Sequence, residues 1–527
     1  MACEDRPDRG GSELNPANGN AAAYFVDRHV EEGRGDKPAF VECGQSGRTL
    51  SYGDLMTEAG RMADLYRRHG IQPENRAAMI VLDQIEFPII FWGSLKAGVI
   101  PVPLNTLLSP DYYEIILNDS RARALFVSAE LLPTVAPILP RLPHLKKVFV
   151  VGGEAGAHLS FADELAAGNP GGTVEAGADE CAFWLYSSGS TGRPKGVRHV
   201  HGSLKATSDT FGARVLGTRE DDVVLSAAKL FFAYGLGNAM TFPMAVGATA
   251  ALFRGRPTPA DMFSAMAEVR PTVFCGVPTL YAGMVAHMAQ NGPKGLDRLR
   301  ICVSAGEALP AEIGNKWKAG TGTDILDGVG STEMLHIFLS NAPGSIVYGT
   351  SGVAVPGYEV RLVDEHGREV ADGEVGELLV NGPSAAENYW NQRDKSRSTF
   401  EGHWTRTGDK YERTAEGRYV YCGRTDDMFK VSGIWVSPFE VEQALVSHPD
   451  VLEAAVVAHK DETGLEKPRA FVVLKNGAAS DGLADALREH VKAKVGAWKY
   501  PRWIDIVPDL PKTATGKVQR FKLREGA

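Results

Sequence analysis

Cysteine is scarce in this chain and scattered. Its six cysteines are Cys3, Cys43, Cys181, Cys275, Cys302 and Cys422, and none form a CxxC pair. That argues against a disulfide framework or a zinc knuckle and points to a reducing cytoplasm. A long uninterrupted hydrophobic run is also missing. The most apolar long window, Ala77 to Leu104, is broken by Asp83, Glu86, Lys96, Pro88 and Pro101. It is too interrupted for a membrane span and reads as buried helix and strand. The first twenty residues, MACEDRPDRGGSELNPANGN, have no apolar core. They are expected to form a loose arm (1–20) rather than a secretory signal. Positive charge falls short of negative, 56 Lys and Arg against 65 Asp and Glu, for a formal net charge of −9. A nucleic-acid or membrane partner is therefore not expected. A small polyanion can still be bound if positive groups are gathered locally.

What is present is the composition of an ordinary globular protein, 44% hydrophobic and 23% charged over 527 residues. That length is too great for one core, so two or more domains are expected. Short apolar runs end in Gly- or Ser-rich turns: CAFWLYSSGS, TVFCGVP, RICVSAGEALP and DILDGVGSTE. Helical patterns such as DMFSAMAEV and TLYAGMVAHMAQ lie between them. This alternation predicts an α/β architecture with largely parallel sheets, and ligands beyond the carboxyl ends of the strands. After about Gly423 the texture changes. VLEAAVVAH and RAFVVLK flank a polar turn and predict a hairpin. Leu483, Leu487, Val491 and Val495 follow at helical spacing. The expected layout is a large N-terminal domain of sheets layered with helices (21–424), a hinge (425–430) and a smaller mobile α+β C-terminal domain (431–527).

The most chemically suggestive stretch is YSSGSTGRPKGV, Tyr186 to Val197. Successive Gly, Ser and Thr residues let backbone N–H groups converge on an anion, hydroxyls add donors, and Lys195 adds charge. It is not a Walker A loop, because Lys195 follows Pro194 and precedes Gly196. It is not a nucleophile elbow, because Ser188 stands where a glycine is needed before Ser190. Taken alone, the stretch reads either as a phosphate cradle or as a surface turn.

SSGSTGRPKG, Ser187 to Gly196, resembles the phosphate-binding signature of the adenylate-forming superfamily of acyl-CoA synthetases, luciferases and peptide-synthetase adenylation domains. Further motifs follow in that superfamily's order: SAGEALP (Ser304 to Pro310), DGVGSTE (Asp327 to Glu333), RTGD (Arg406 to Asp409), GRTDDMFKVSGIWVSP (Gly423 to Pro438) and PKTATGKVQR (Pro511 to Arg520). The resemblance implies ATP contacts from Ser187, Ser188, Gly189, Ser190, Thr191, Gly192 and Lys195. Ala305, Gly306, Glu307 and Ala308 would pack on the adenine, with Asp327 and Gly328 beside them. Thr332 would meet the α-phosphate, and Glu333 would hold Mg²⁺. Asp409 and Arg424 would reach the ribose, and Asp426 would be the pivot. Lys517 is the implied catalytic lysine of adenylate formation. Lys430 sits where related enzymes carry a lysine used in the second step, while Gly433 and Trp435 would line the tunnel for coenzyme A.

The acyl pocket is expected between KLFFAYGLGN and the residues after Glu333. Phe231, Phe232, Ala233, Tyr234 and Gly235 would line it, with Gly330, His336 and Ile337 closing it. A flat aromatic wall suits a small aryl acid and crowds a long chain. FFAYGLGN with STEMLHIFLSN resembles the benzoate–CoA ligases. The implied reaction joins benzoate, ATP and CoA to give benzoyl-CoA, AMP and pyrophosphate through a benzoyl-adenylate, in a cytoplasmic monomer or homodimer. Another small aryl acid (hydroxybenzoate or aminobenzoate) stays open, as does an adenylation domain that loads a carrier protein. Against the carrier-loading reading, the pocket run lacks an acid to pair with an amino-acid ammonium. A light-emitting oxygenase and a catalytically dead nucleotide sensor are more distant alternatives.

Overall fold

A computed structural model describes residues 19–44, 47–188, 194–425, 427–431, 434–462, 465–475, 482–496, 499–512 and 518–525. Gly189, Ser190, Thr191, Gly192, Asp426, Gly433 and Lys517 lie outside the described residues. Of Ser188, Lys430 and Trp435 only the backbone is described.

The chain divides into two compact units. One is Met1–Glu359 with Val380–Thr405, and the other is Val360–Leu379 with Arg406–Ala527. The division differs from a single boundary at residue 424. The strands Glu359–Val363, Val375–Asn381, Trp404–Arg413 and Tyr419–Arg424 share one sheet, and most of their residues fall in the second unit.

In the first unit the expected α/β alternation appears as two sheets. The larger has nine strands. Its centre is parallel and runs Pro38–Glu42, Thr249–Leu252, Val223–Ser226, Val273–Gly276, Ile301–Ser304, Ile325–Gly330. Buried on both faces, these strands are continuous apolar runs rather than alternating ones. Ile337–Ser340 and Val353–Ala354 extend one edge antiparallel. The helices predicted from DMFSAMAEV and TLYAGMVAHMAQ are Pro259–Val269 and Pro278–Asn291. The first is capped by Thr258, whose hydroxyl accepts the Asp261 N–H.

The smaller sheet is all parallel: Ile100–Pro103, Arg76–Ile80, Ala124–Ser128, Lys147–Val151, Leu159–Ser160. The apolar window Ala77–Leu104 supplies two of its strands and the helix Glu86–Lys96 between them. That helix is buried along nearly its whole length. Its Lys96, 2% exposed, is held by Asp27 and by the Thr173 hydroxyl at 2.8 Å. Among the described residues no helix is long and apolar enough to cross a membrane.

CAFWLYSS departs from expectation. It is a strand, Cys181–Ser188, but it does not feed a helix from a parallel sheet. It pairs antiparallel with Pro194–Val200, which pairs with Asn388–Tyr389. The glycine- and serine-rich segment therefore joins two hairpin strands, with Ser187 directly opposite Lys195.

The second unit contains the predicted C-terminal hairpin, Val451–Lys460 against Glu466–Leu474, with Trp503–Ile506 added in parallel. The helix Leu483–Val495 buries Leu487 and Val491 against it.

Candidate active site

The parallel strands of the large sheet end at Ser226, Gly276, Ser304 and Gly330, and Phe232 to Gly235, Ala305 to Ala308, Thr332 and Glu333 follow three of these ends in the chain. In parallel α/β sheets that edge is where ligands collect.

On strand Pro194–Val200 side chains alternate, so Lys195 and His199 share a face. The Lys195 ammonium lies 4.0 Å from Glu333 Oε1 and 3.5 Å from the Tyr389 hydroxyl. The Tyr389 hydroxyl donates to Glu333 Oε1 at 2.8 Å, and the Lys195 ammonium stands 4.6 Å above its ring. Lys195 and Glu333 are 14% and 16% exposed. At an effective dielectric near 20, such a pair attracts by roughly 4 kcal/mol. Desolvation offsets much of that, so the pair is weak in net terms. His199 donates from Nε2 to the Thr332 carbonyl at 2.8 Å. Burial pushes its pKa down to about 4, so the ring is neutral, and it stacks on Phe183.

Thr332, Glu333 and His336 ride one tight turn. Leu335 within it has φ +65°, and the His336 N–H donates to the Met334 carbonyl at 2.8 Å. A leucine in the left-handed region costs energy. Ser384 helps hold the turn by donating to the Met334 carbonyl at 2.7 Å. Glu333 is a lone carboxylate, and among the described residues no group of three or more His, Cys, Asp or Glu could hold a metal. A single carboxylate such as Glu333 is a donor that Mg²⁺ accepts, its shell being completed by substrate phosphates and water.

The expected acyl-pocket residues are brought together. The Tyr234 phenol is shared between the carbonyls of Gly276, at 3.1 Å, and Val303, at 3.0 Å. Burial raises its pKa well above the usual tyrosine range, so it stays protonated. His336 packs 5.7 Å from the Tyr234 ring, and its Nε2 lies 3.4 Å from the Tyr234 carbonyl. Burial drives the His336 pKa down to about 3. Phe211 and Phe242 flank it at 5.2 and 4.5 Å. Phe232 packs on Phe231 at 4.4 Å. The loop turns so tightly that a Cβ on Gly235 would stand 2.1 Å from the Lys229 carbonyl oxygen. A Cβ on Gly330 would stand 2.5 Å from the His336 carbonyl oxygen. Ile337 opens the buried strand beside them.

Ala305, Gly306, Glu307 and Ala308 form the loop after strand Ile301–Ser304, with Gly306 at φ +97°. Asp327 lies behind this loop. It is 2% exposed, and its Oδ2 accepts the Leu309 N–H at 3.3 Å. Gly328 follows it on the same strand. In the second unit, Asp409 and Arg424 are register partners on adjacent strands. Arg424 Nη1 donates to Asp409 Oδ1 at 2.9 Å and to the Thr407 carbonyl at 3.0 Å. The backbones of Lys430 and Trp435 pair across Phe429–Val431 and Ile434–Val436.

Sequence reasoning missed Tyr389, His199, Phe211 and Phe242. Period-two alternation from Lys195 would have found His199. The other three come from elements with no motif. An open cleft of about 540 Å³ lined by Arg198, Tyr389, Trp390, Gln392, Arg393 and Arg397 meets the site at Tyr389 but includes neither Lys195 nor Glu333.

The family model of the AMP-binding enzymes matches residues 26–390, and that of the AMP-binding enzyme C-terminal domain matches residues 440–517. The chain belongs to the AMP-binding enzymes. Among members of this family, it is 54% identical to a 4-hydroxybenzoate–CoA/benzoate–CoA ligase of Rhodopseudomonas palustris, over 96% of this chain and 94% of that protein. It is 52% identical to a benzoate–CoA ligase of Thauera aromatica, over 97% and 96%. The solved structure of a benzoate CoA ligase from Burkholderia xenovorans matches with a TM-score of 0.88 at 50% identity, over 96% of this chain and 99% of that one. This AMP-binding enzyme is thus an AMP-forming acyl- or aryl-CoA ligase with the two-domain α/β fold of the adenylate-forming superfamily, and it resembles the benzoate–CoA ligases.

Proposed function

We propose that this enzyme activates benzoate. A carboxylate oxygen attacks the α-phosphorus of ATP, a P–O bond forms, and the bond to pyrophosphate breaks. The sulfur of CoA, having given its proton to solvent, then attacks the acyl carbon, and AMP leaves with the bonding pair. What carries the choice of acid is the neutral, aromatic surround of His336: Tyr234, Phe211 and Phe242. It offers a flat ring apolar contact and no charge to an amino group.

In this reading Lys195 takes the β- and γ-phosphates, released from Glu333 and steadied by Tyr389. Thr332 meets the α-phosphate, and Ser187 with residues 188–192 cradles the chain of phosphates. Glu333 holds Mg²⁺, which when bound neutralises phosphate charge. Ala305 to Ala308 cover the adenine, and Asp409 and Arg424 hold the ribose. Lys517 bridges carboxylate and α-phosphate by charge alone, since the carboxylate has no proton to give up. Rotation about Asp426 then exchanges Lys517 for the segment from Lys430 to Trp435, where Gly433 admits the pantetheine arm.

One observation favours a hydroxybenzoate as a second substrate. Among the described residues His336 Nδ1 has no hydrogen-bond partner. With its proton on Nε2, it is an acceptor that a ring hydroxyl could use.

The test is a panel of benzoate, hydroxybenzoates, aminobenzoate and hexanoate with ATP and CoA, following AMP and thioester together. Benzoate should give the highest kcat/KM and hexanoate almost none. Preference for hexanoate, or AMP release without thioester, would overturn the reading.

A further inference from the structure

The acyl-pocket loop depends on a residue remote from it in sequence. Asp83 sits in the turn after strand Arg76–Ile80 of the five-stranded sheet, while the loop leaves strand Val223–Ser226 of the nine-stranded sheet. Asp83 is 3% exposed, and both its carboxylate oxygens lie 3.3 Å from the Leu230 amide nitrogen. A carboxylate buried this far costs free energy unless it is satisfied. Burial pushes its pKa up to about 6, opposed by the Lys229 charge and the Leu230 N–H. Lys229 itself donates to the Phe253 carbonyl.

From Leu230 the loop is stiff. The Phe232 N–H donates back to the Lys229 carbonyl at 3.0 Å, and the Leu236 N–H to the Phe232 carbonyl at 2.8 Å. Gly235 abuts that same Lys229 carbonyl. Leu230 is thus enclosed in a turn whose backbone bonds run from Lys229 to Phe232 and on to Leu236. The far end is pinned by the Tyr234 hydroxyl on Gly276 and Val303.

We propose that Asp83 is a positioning residue for acid recognition: by accepting the Leu230 N–H it ties the acyl-pocket loop to the neighbouring sheet and sets where Phe232 and Tyr234 stand. The inference rests on the loop's being the acid-binding wall.

The test compares Asp83→Leu and Asp83→Asn in the full chain, with KM measured separately for acid, ATP and CoA. Leucine removes the acceptor and leaves a buried N–H unpaired, so the acid KM should rise about tenfold while the ATP KM stays within about twofold. Asparagine keeps an acceptor and should return the acid KM to within about threefold of wild type. Selectivity for benzoate over hexanoate should fall in the leucine variant only. An unchanged acid KM in the leucine variant overturns the proposal. So does a parallel rise in the KM for acid and ATP, or an asparagine variant as impaired as leucine. Asp83→Ala replaces leucine where that does not fold. If neither folds, the asparagine variant decides: an acid KM raised more than threefold overturns the proposal, and a smaller change supports it. The wild-type panel separately tests the choice of acid, and the variants are run with whichever acid wild type uses.

Discussion

Replacing Asp327 with asparagine should make the ligand-free protein more stable, and increasingly so as pH rises. Burial pushes the Asp327 carboxyl from 3.8 up to about 8, and the Leu309 N–H only partly opposes this. Below about pH 4 the carboxyl is protonated in both folded and unfolded chains, and it contributes no pH dependence. Between about pH 4 and 8 the unfolded chain ionises while the folded one stays protonated. The folded state then binds more protons, and stability falls by about 1.4 kcal/mol per pH unit. Above pH 8 both forms ionise and the fall stops, after a total on the order of 5 kcal/mol. Asparagine can still accept the Leu309 N–H but does not titrate. Urea denaturation of wild type and Asp327→Asn at pH 5 and pH 8 isolates the effect. The variant's advantage should grow by about 4 kcal/mol across those three units. An advantage that stays constant with pH, or one that shrinks, refutes the burial argument. It would mean that Asp327 is solvated or paired in solution.

Tyr389→Phe keeps the ring over Lys195 but removes the hydroxyl between Lys195 and Glu333. It should lower kcat/KM for ATP roughly three- to tenfold and leave the acid KM alone; a change confined to the acid KM would place Tyr389 elsewhere in the reaction. Gly235→Ala forces a methyl against the Lys229 carbonyl, so acid-dependent turnover should drop more than about tenfold, with a lowered melting temperature. Normal turnover would show that the loop relaxes freely. Lys517→Ala should nearly abolish adenylate formation yet spare thioester formation from supplied acyl-adenylate, whereas Asp426→Pro should do the reverse. Equal losses in both half-reactions would sink the alternation.

Much of this was legible in the chain. Two apolar runs about a polar turn gave the C-terminal hairpin, whose strands are buried on both faces, and a period of about four gave the Leu483–Val495 helix, which buries one face. Glycine and hydroxyl residues beside Lys195 suggest an anion site from sequence, but they fall largely outside the described residues. The hairpin setting of that segment was not legible. CAFWL is apolar enough for either kind of sheet, and only its pairing with Pro194–Val200 decides. Tyr389 was invisible for a similar reason. It lies in a polar stretch, AENYWN, and its meeting with Glu333 and Lys195 is fixed by strand pairing across the chain. Asp83 looked like an interruption in an apolar window. It is a cross-sheet tie whose partner is a backbone amide, and backbone amides carry no sequence signature.

The Cys181–Ser188 and Pro194–Val200 ladder behaves as a ruler. Its register puts Lys195 and His199 on the Glu333 side and Arg198 on the other. A one-residue slip would exchange those faces and present Gly196 and Arg198 to Glu333. The ladder should be unforgiving of a deletion inside either strand, where losing one residue takes Lys195 away from Glu333 although its codon is untouched.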